Sequence, residues 1–413
     1  MTAMSRASKP HDVVVFGATS FVGQILVRYL AATFGHDDGL NWAVAGRSGP
    51  KLEALRTSLG AAAGRLDVMT AEASSLEDMR RLCASARVVV STVGPYALYG
   101  GPLVQACSET GTDYCDLAGE VQWIRRMIVR HEAAARSSGA RIVHCCGFDS
   151  IPFDLGVHFL QQESKRRFGE PCTAVKMRVK TLRGGASGGT VASILNVLAE
   201  VGRDPGLRKE LADPYSLWTE AGKPAVRQPG VQFAAYDPDF DAWIAPFVMS
   251  AINTRIVHRS NMLSHEAYGH DFRYDEAVLT GRGLRGRSNA TAMASALGAF
   301  MAAALIGPVR TALQRFVLPA PGEGPSPDAQ RKGCFDLRFH GRTRDGRIVR
   351  AKVTGDRDPG YGSTAKMLGQ AAACLARDVP GRPGGFWTPA ALLGDALLER
   401  LRAHAGLTFD ALD

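Results

Sequence analysis

The residues with the most chemical content lie together near the start of the chain. Val13–Phe16 is an unbroken apolar run, and Gly17, Ala18, Thr19, Ser20, Phe21, Val22 and Gly23 follow it directly. A buried strand that turns on a glycine and enters a helix within three residues leaves the first helical N–H groups unpaired. The positive end of the helix dipole then faces the turn, which makes a seat for a pyrophosphate. Gly17 permits the sharp turn, and Gly23 lets the helix pack closely on the strand. The spacing is G-x-x-S-x-x-G rather than G-x-G-x-x-G. Ser20 stands where a second glycine is usual, and a serine there can cap the helix or bond a phosphate. An ordinary strand–helix turn is the plain alternative.

The next apolar run weighs against that alternative. Trp42–Ala45 leads into Gly46, Arg47 and Ser48, with Lys51 four residues beyond Arg47. In NAD-selective folds this strand ends in an acid that holds the ribose hydroxyls. Here no acid lies within three residues of Arg47. A guanidinium suits a 2′-phosphate by charge and by its forked donors, so the pair Arg47 and Lys51 points to NADP(H). The competing reading is a solvated helix entrance. A third run, Val88–Val90, leads into Thr92, Val93, Gly94 and Pro95. Small residues at that strand end suit close approach by the nicotinamide half of the cofactor.

Tyr96 and Tyr99 come next and could donate a proton; Asp116, Glu120 and Asp149 are further polar candidates at predicted strand ends. Each has a packing or capping role as its alternative. The first domain has no Tyr-x-x-x-Lys pair. His258, His265 and His270 lack a metal-ligand spacing, so no metal is expected.

Strand and helix patterns alternate over the first 150 residues, with fully apolar strands, which predicts a doubly wound parallel sheet. The chain has 413 residues, too many for one ordinary core. The expected division is a Rossmann domain over 1–150, an α+β substrate domain over 151–355 and C-terminal helices over 356–413. Within the second domain, Ala174–Leu182, Ile252–His258 and Phe272–Thr280 read as strands. A helical apolar segment spans 289–316, and the Pro- and Gly-rich stretch 319–333 reads as a linker. The run Ala292–Gly307 is uncharged and shorter than the ~20 residues of a spanning helix. A buried core helix is its plain reading; a membrane-contacting helix or a channel lining is the sharper one.

The net charge of +9 favours anionic partners, but no basic reading helix is evident and nucleic acid is not expected. Eight scattered cysteines without a C-x-x-C pair fit a reducing compartment. Residues 1–12 are polar and lack a signal core, so a cytoplasmic protein, with peripheral membrane contact as a variant, is expected. A homodimer is left open.

These segments together resemble a known family. GATSFVG, the AGR of Ala45–Arg47, the TVGPY of Thr92–Tyr96, GTDYCDLAGE from Gly111 and CGFDSIPFDLG from Cys146 are similar to saccharopine dehydrogenase-like oxidoreductases. SGGTVAS from Ser187, NTRIVHRSN from Asn253, YGHDFRY from Tyr268 and TPAALLGDALLERL from Thr388 look like the trans-acting enoyl reductases of that superfamily. The resemblance implies an NADP(H)-binding Rossmann domain, a second sheet domain and C-terminal helices packing back onto the first. It implies reduction of a carbon–carbon double bond in a hydrophobic acyl chain carried by a polyketide synthase. Other relatives associate with lipid. Two different readings stay open: a saccharopine-type amino-acid dehydrogenase, and a non-catalytic NADP(H)-binding protein that docks on lipid or a partner.

Overall fold

In the computed structural model the chain is described over residues 9–35, 39–60, 66–184, 188–316 and 324–413. The first half alternates as the apolar runs predict: β1 (His11–Phe16), α1 (Phe21–Phe34), β2 (Trp42–Gly46), α2 (Gly49–Ser58), β3 (Asp67–Thr70) and α3 (Leu76–Ser85). It continues with β4 (Ala86–Ser91), a short α4 (Tyr96–Tyr99), α5 (Gly101–Thr110), β5 (Asp113–Asp116), α6 (Val121–Ser138) and β6 (Arg141–Val143). The middle holds α7 (Ile151–Phe168), β7 (Cys172–Arg183), α8 (Gly188–Arg203), α9 (Pro205–Ala212), β8 (Ala235–Asp237) and β9 (Ala242–Pro246). Then come α10 (Ser250–Leu263), β10 (Arg273–Gly281), α11 (Gly283–Leu305), α12 (Gly307–Phe316), α13 (Pro327–Lys332), β11 (Cys334–Thr343) and β12 (Ile348–Gly355). The chain closes with α14 (Thr364–Arg377), β13 (Gly385–Trp387), α15 (Pro389–Leu392), α16 (Gly394–Arg400) and β14 (Leu407–Leu412).

Two compact units emerge. The first comprises residues 1–148, 321–324 and 360–406, and the second comprises 149–320, 325–359 and 407–413. The first unit is a seven-stranded sheet in the order β13-β6-β5-β4-β1-β2-β3, parallel throughout. Val13, Val14, Val15, Val88, Val89 and Val90 are fully buried, because helices cover both faces. From the C-terminal segment, α14 packs on α1, β4 and β5, and β13 adds an edge strand beside β6.

The second unit is a mixed sheet in the order β14-β12-β11-β7-β10-β9-β8, with only the β7–β10 pair parallel. Phe335, Leu337 and Phe339 alternate inward on β11, as do Val349, Ala351 and Val353 on β12. α7 lies across those strands, and α10 packs on β10 and α7. At Gly156 of α7 an added Cβ would collide with the Phe339 ring, so this glycine sets the helix–sheet approach.

Several expectations change. Ile252–His258 is helical, not a strand. Its β-branched residues suggested extension, but Ile252, Ile256 and Ser260 are buried at a spacing of four, a helical period. The apolar helix starts at Gly283 and breaks at Ile306, ahead of Pro308. Of the expected linker, 319–323 lies outside the described residues, and Pro327–Lys332 is a helix whose Ser326 cap accepts from the Ala329 N–H. The C-terminal segment ends in a strand, β14, whose alternation of Leu407 and Phe409 inward is too short to stand out in the sequence.

Beneath α10 the second unit buries a polar chain. The Ser150 hydroxyl donates to Asn253 Oδ1 (3.2 Å), Asn253 Nδ2 donates to Glu276 Oε2 (3.0 Å) and the Tyr274 hydroxyl donates to Glu276 Oε1 (2.8 Å). Burial pushes the Glu276 carboxyl up to about 8, against the lowering effect of those two donors. The folded chain therefore holds a proton here that the unfolded chain has released by neutral pH. Between pH 6 and 8 this site is expected to cost about 1.4 kcal/mol of stability per pH unit as pH rises. Denaturant titrations of Glu276→Gln should show that slope removed; an unchanged slope rejects the assignment.

Candidate cofactor and catalytic site

The carboxyl ends of β1, β2 and β4 meet at the glycine turn. Gly17 has φ 85°, a left-handed conformation that glycine adopts without strain. Its N–H and that of Ala18 donate to the Ala45 carbonyl at 2.9 and 3.2 Å, which ties the turn to the end of β2. A Cβ on Gly17 would stand 2.7 Å from Val93 Cγ2 and 2.8 Å from Thr92 Oγ1, and one on Gly23 would run into the Gly17 carbonyl. Both positions are therefore sterically closed to larger residues.

Ser20 is the N-cap of α1. Its Oγ accepts from the Gly23 N–H at 2.9 Å and lies 3.0 Å from Thr92 Oγ1, which in turn donates to the Gly17 carbonyl at 2.9 Å. Of the two roles open to Ser20, the structure shows the cap. Among the described residues the N–H groups of Thr19, Phe21 and Val22 have no hydrogen-bond acceptor, and the first turn of α1 holds no acid. Three free donors at a helix N-terminus suit an anionic oxygen, so the turn fits a pyrophosphate.

Arg47 directly follows β2 and is exposed, as is Lys51 in the first turn of α2; among the described residues neither side chain has a hydrogen-bond or ion-pair partner. A Cβ on Gly46 would sit 3.9 Å from Thr19 Oγ1, so Arg47 leaves the sheet beside the turn. The only acid in α2, Glu53, is paired with Arg56 at 2.6 Å. The tip of β2 thus offers two uncommitted cations and no carboxylate, which fits a 2′-phosphate.

Behind Phe21 stands Tyr361, with ring centroids 4.6 Å apart and planes at 76°. Tyr361 is buried, and Gly324 is packed so closely that a Cβ there would meet both rings. This buttress of the turn was not evident from the sequence, where Pro359–Ser363 carries only Gly and Pro as signals.

The polar candidates at the strand ends separate into two groups. Tyr96 is buried; its hydroxyl donates to the Ser91 carbonyl (3.0 Å) and accepts from the Leu117 N–H (3.1 Å), so it joins the ends of β4 and β5. Thr92–Pro95 connects β4 to α4 through a cis Gly94–Pro95 bond. Glu120 accepts from the N–H groups of Tyr96 and Ala97 at 2.8 and 3.0 Å and caps α4. Asp116 is fully buried and gathers four groups: the Tyr114 hydroxyl (2.9 Å), His144 Nδ1 (2.7 Å), and the N–H groups of Ala118 (3.0 Å) and Cys145 (3.1 Å). These placements favour architectural roles for Tyr96, Glu120 and Asp116 over the proton transfer expected of the first and last. His144, the partner of Asp116, was missed; a lone histidine after an apolar run carries no distinctive spacing.

Tyr99 is 46 % exposed on α4 and faces solvent. Asp149 lies six residues past β6, half-buried and with no hydrogen-bond partner among the described residues, and burial pushes its carboxyl up to about 6. Among the described residues no group of three potential metal ligands converges.

Residues 13–143 match the family described as Saccharopine dehydrogenase NADP binding domain. Over the whole length the chain is 37% identical to a trans-acting enoyl reductase of Mycobacterium tuberculosis, covering 96% of this chain and 97% of the relative. The corresponding protein of Mycobacterium ulcerans gives the same figures. Another Mycobacterium tuberculosis protein, 39% identical over 97% of both chains, bears the same designation provisionally. Among solved structures, apo saccharopine dehydrogenase (L-Glu forming) of Saccharomyces cerevisiae matches with TM-score 0.54 and 14% identity over 98% of this chain and 100% of that one. At that identity the likeness concerns the fold.

Proposed function

The chain belongs to the trans-acting enoyl reductases, a branch of the saccharopine dehydrogenase-like oxidoreductases, and as an NADP(H)-dependent oxidoreductase of that kind we propose that it reduces a carbon–carbon double bond in a long-chain acyl intermediate carried by a polyketide synthase. The observation that carries this reading is identity of 37–39% spread over nearly the full length of chain and relatives, through both units. The two uncommitted cations at the tip of β2 support NADPH as the electron donor.

NADPH, when bound, supplies a hydride for the β-carbon of the enoyl group. The chain's own residues do the rest. The N–H groups of Thr19, Phe21 and Val22 hold the pyrophosphate at the N-terminus of α1. Arg47 and Lys51 hold the 2′-phosphate. Thr92 fixes the turn through Ser20 and the Gly17 carbonyl, so the seat is rigid before any ligand arrives. Tyr96, Glu120 and Asp116 lock the strand ends that carry it.

The reaction is tested by following nicotinamide absorbance with a long-chain trans-2-enoyl thioester. Oxidation of NADPH with formation of the saturated thioester is expected. Turnover of amino acids with keto acids instead would replace this reading by that of an amino-acid dehydrogenase, and tight NADPH binding without any turnover by that of a binding protein.

A further inference from the structure

The helix α11 is the largest apolar element that the second unit leaves uncovered. Only 11% of its most apolar stretch is buried. Gly286, Ala290 and Ala304 face inward, against β9 and β10 and, at the far end, Leu195 and Leu198 of α8. The opposite side is open from Ala292 onward and contains Met293, Ala296, Ala299, Leu305, Ile306 and Val309, with Leu284 83% exposed at the near end. The plain expectation of a buried core helix is thus overturned. An apolar surface of this length on a soluble unit calls for a partner.

The charges around it indicate which. From Arg282 to Phe316 the sequence contains five arginines, Arg282, Arg285, Arg287, Arg310 and Arg315, and no aspartate or glutamate. Three arginines precede the uncharged run Ser288–Val309 and two follow it. Arg282 is paired with Asp241 at 3.0 Å, and Arg287 lies over the Trp243 ring at 5.4 Å. Arg285 is exposed and has no partner among the described residues.

A second copy docking through this face would meet its own arginines across a two-fold axis, because a two-fold contact uses the same patch twice. A spanning helix is also excluded by geometry, since one side of α11 is held by the unit's own sheet. A helix pinned along one side, apolar along the other and flanked by cations is suited to lie flat at the surface of an anionic bilayer. There the apolar side enters the acyl boundary while the arginines stay among the headgroups.

We propose that the exposed face of α11 and the start of α12 bind the surface of anionic lipid bilayers, placing the protein at a membrane without crossing it. The contact does not depend on the substrate assigned above, and it is measured without cofactor or thioester.

The full chain is floated with vesicles of phosphatidylcholine alone and with vesicles containing phosphatidylglycerol. Co-flotation is expected with the anionic vesicles, falling as salt screens the arginines, and absent with phosphatidylcholine alone. The triple variant Met293→Glu, Leu305→Glu, Ile306→Glu should lose co-flotation while keeping its melting temperature and its NADPH affinity, because these side chains are exposed. Arg285→Glu should weaken it. Three results would overturn the proposal. One is no co-flotation of the wild type with either vesicle. Another is a wild-type dimer that the triple variant converts to monomer with vesicle binding unchanged. The third is binding to an isolated acyl carrier domain that the triple variant abolishes, with no binding to lipid.

Discussion

Arg47→Ala is expected to weaken NADPH binding by about ten- to a hundredfold and to leave NADH binding unchanged. The guanidinium stands at the tip of β2 with no partner among the described residues, so its removal breaks no contact there. All of the loss should appear in the one contact that distinguishes the two cofactors. A charge-assisted, forked pair to a phosphate is the strongest bond that a single side chain offers here. Lys51 remains and sets the floor, so the double variant Arg47→Ala, Lys51→Ala should fall further. Calorimetric titration of both cofactors decides the point. Equal losses for NADPH and NADH would mean that Arg47 acts on the shared part of the dinucleotide. No loss with either would place the 2′-phosphate elsewhere.

Selectivity of this kind is legible in a sequence because it depends on one residue type at one position in a periodic frame. The frame is legible too. Strands covered on both faces must be apolar throughout, and Val13–Phe16 and Val88–Val90 show it. Strands with little to bury left little trace: β13 is three residues long, and β14 shows one inward pair, Leu407 and Phe409. α10 was misread because β-branched Ile252, Ile256 and Val257 favour strands locally, while packing on β10 and α7 selected the helix. For α11 the sequence leaves both a buried and a surface-contacting helix open. Alanine is compatible with burial and with exposure, so composition could not say that one side would find no partner.

The catalytic candidates show a sharper limit. Sequence picks out tyrosines and acids at strand ends, but a carboxyl that performs chemistry and one that anchors loops occupy the same kind of position. The number of donors converging on it separates them. Among the described residues Asp149 receives none, whereas Asp116 receives four. The four donors assign Asp116 to holding the ends of β5 and β6, a role that its type and position in the sequence do not reveal.

Asp116→Ala should consequently act on folding. It leaves two backbone N–H groups, a tyrosine hydroxyl and a histidine ring nitrogen without an acceptor in a site closed to water. The expected cost is about 3–5 kcal/mol, at the upper end for a single substitution. Asp116→Asn should be much milder, for a reason visible in the partners. The amide oxygen still accepts from Ala118 and Cys145. The amide nitrogen now donates: the Tyr114 hydroxyl accepts as readily as it donates, and His144 accepts at Nδ1 in its other neutral tautomer, which leaves one unpaired N–H at its buried Nε2 in place of the four groups that alanine strands. A chemical role predicts the reverse order of effects, because an amide cannot exchange a proton as an acid does. Thermal melts of the two variants, with turnover measured per folded molecule, therefore discriminate. If Asp116→Asn melts with the wild type and loses its turnover, the carboxyl takes part in the reaction. If the alanine variant is unstable and the asparagine variant retains turnover, Asp116 holds the ends of β5 and β6 in place so that the cofactor seat keeps its shape.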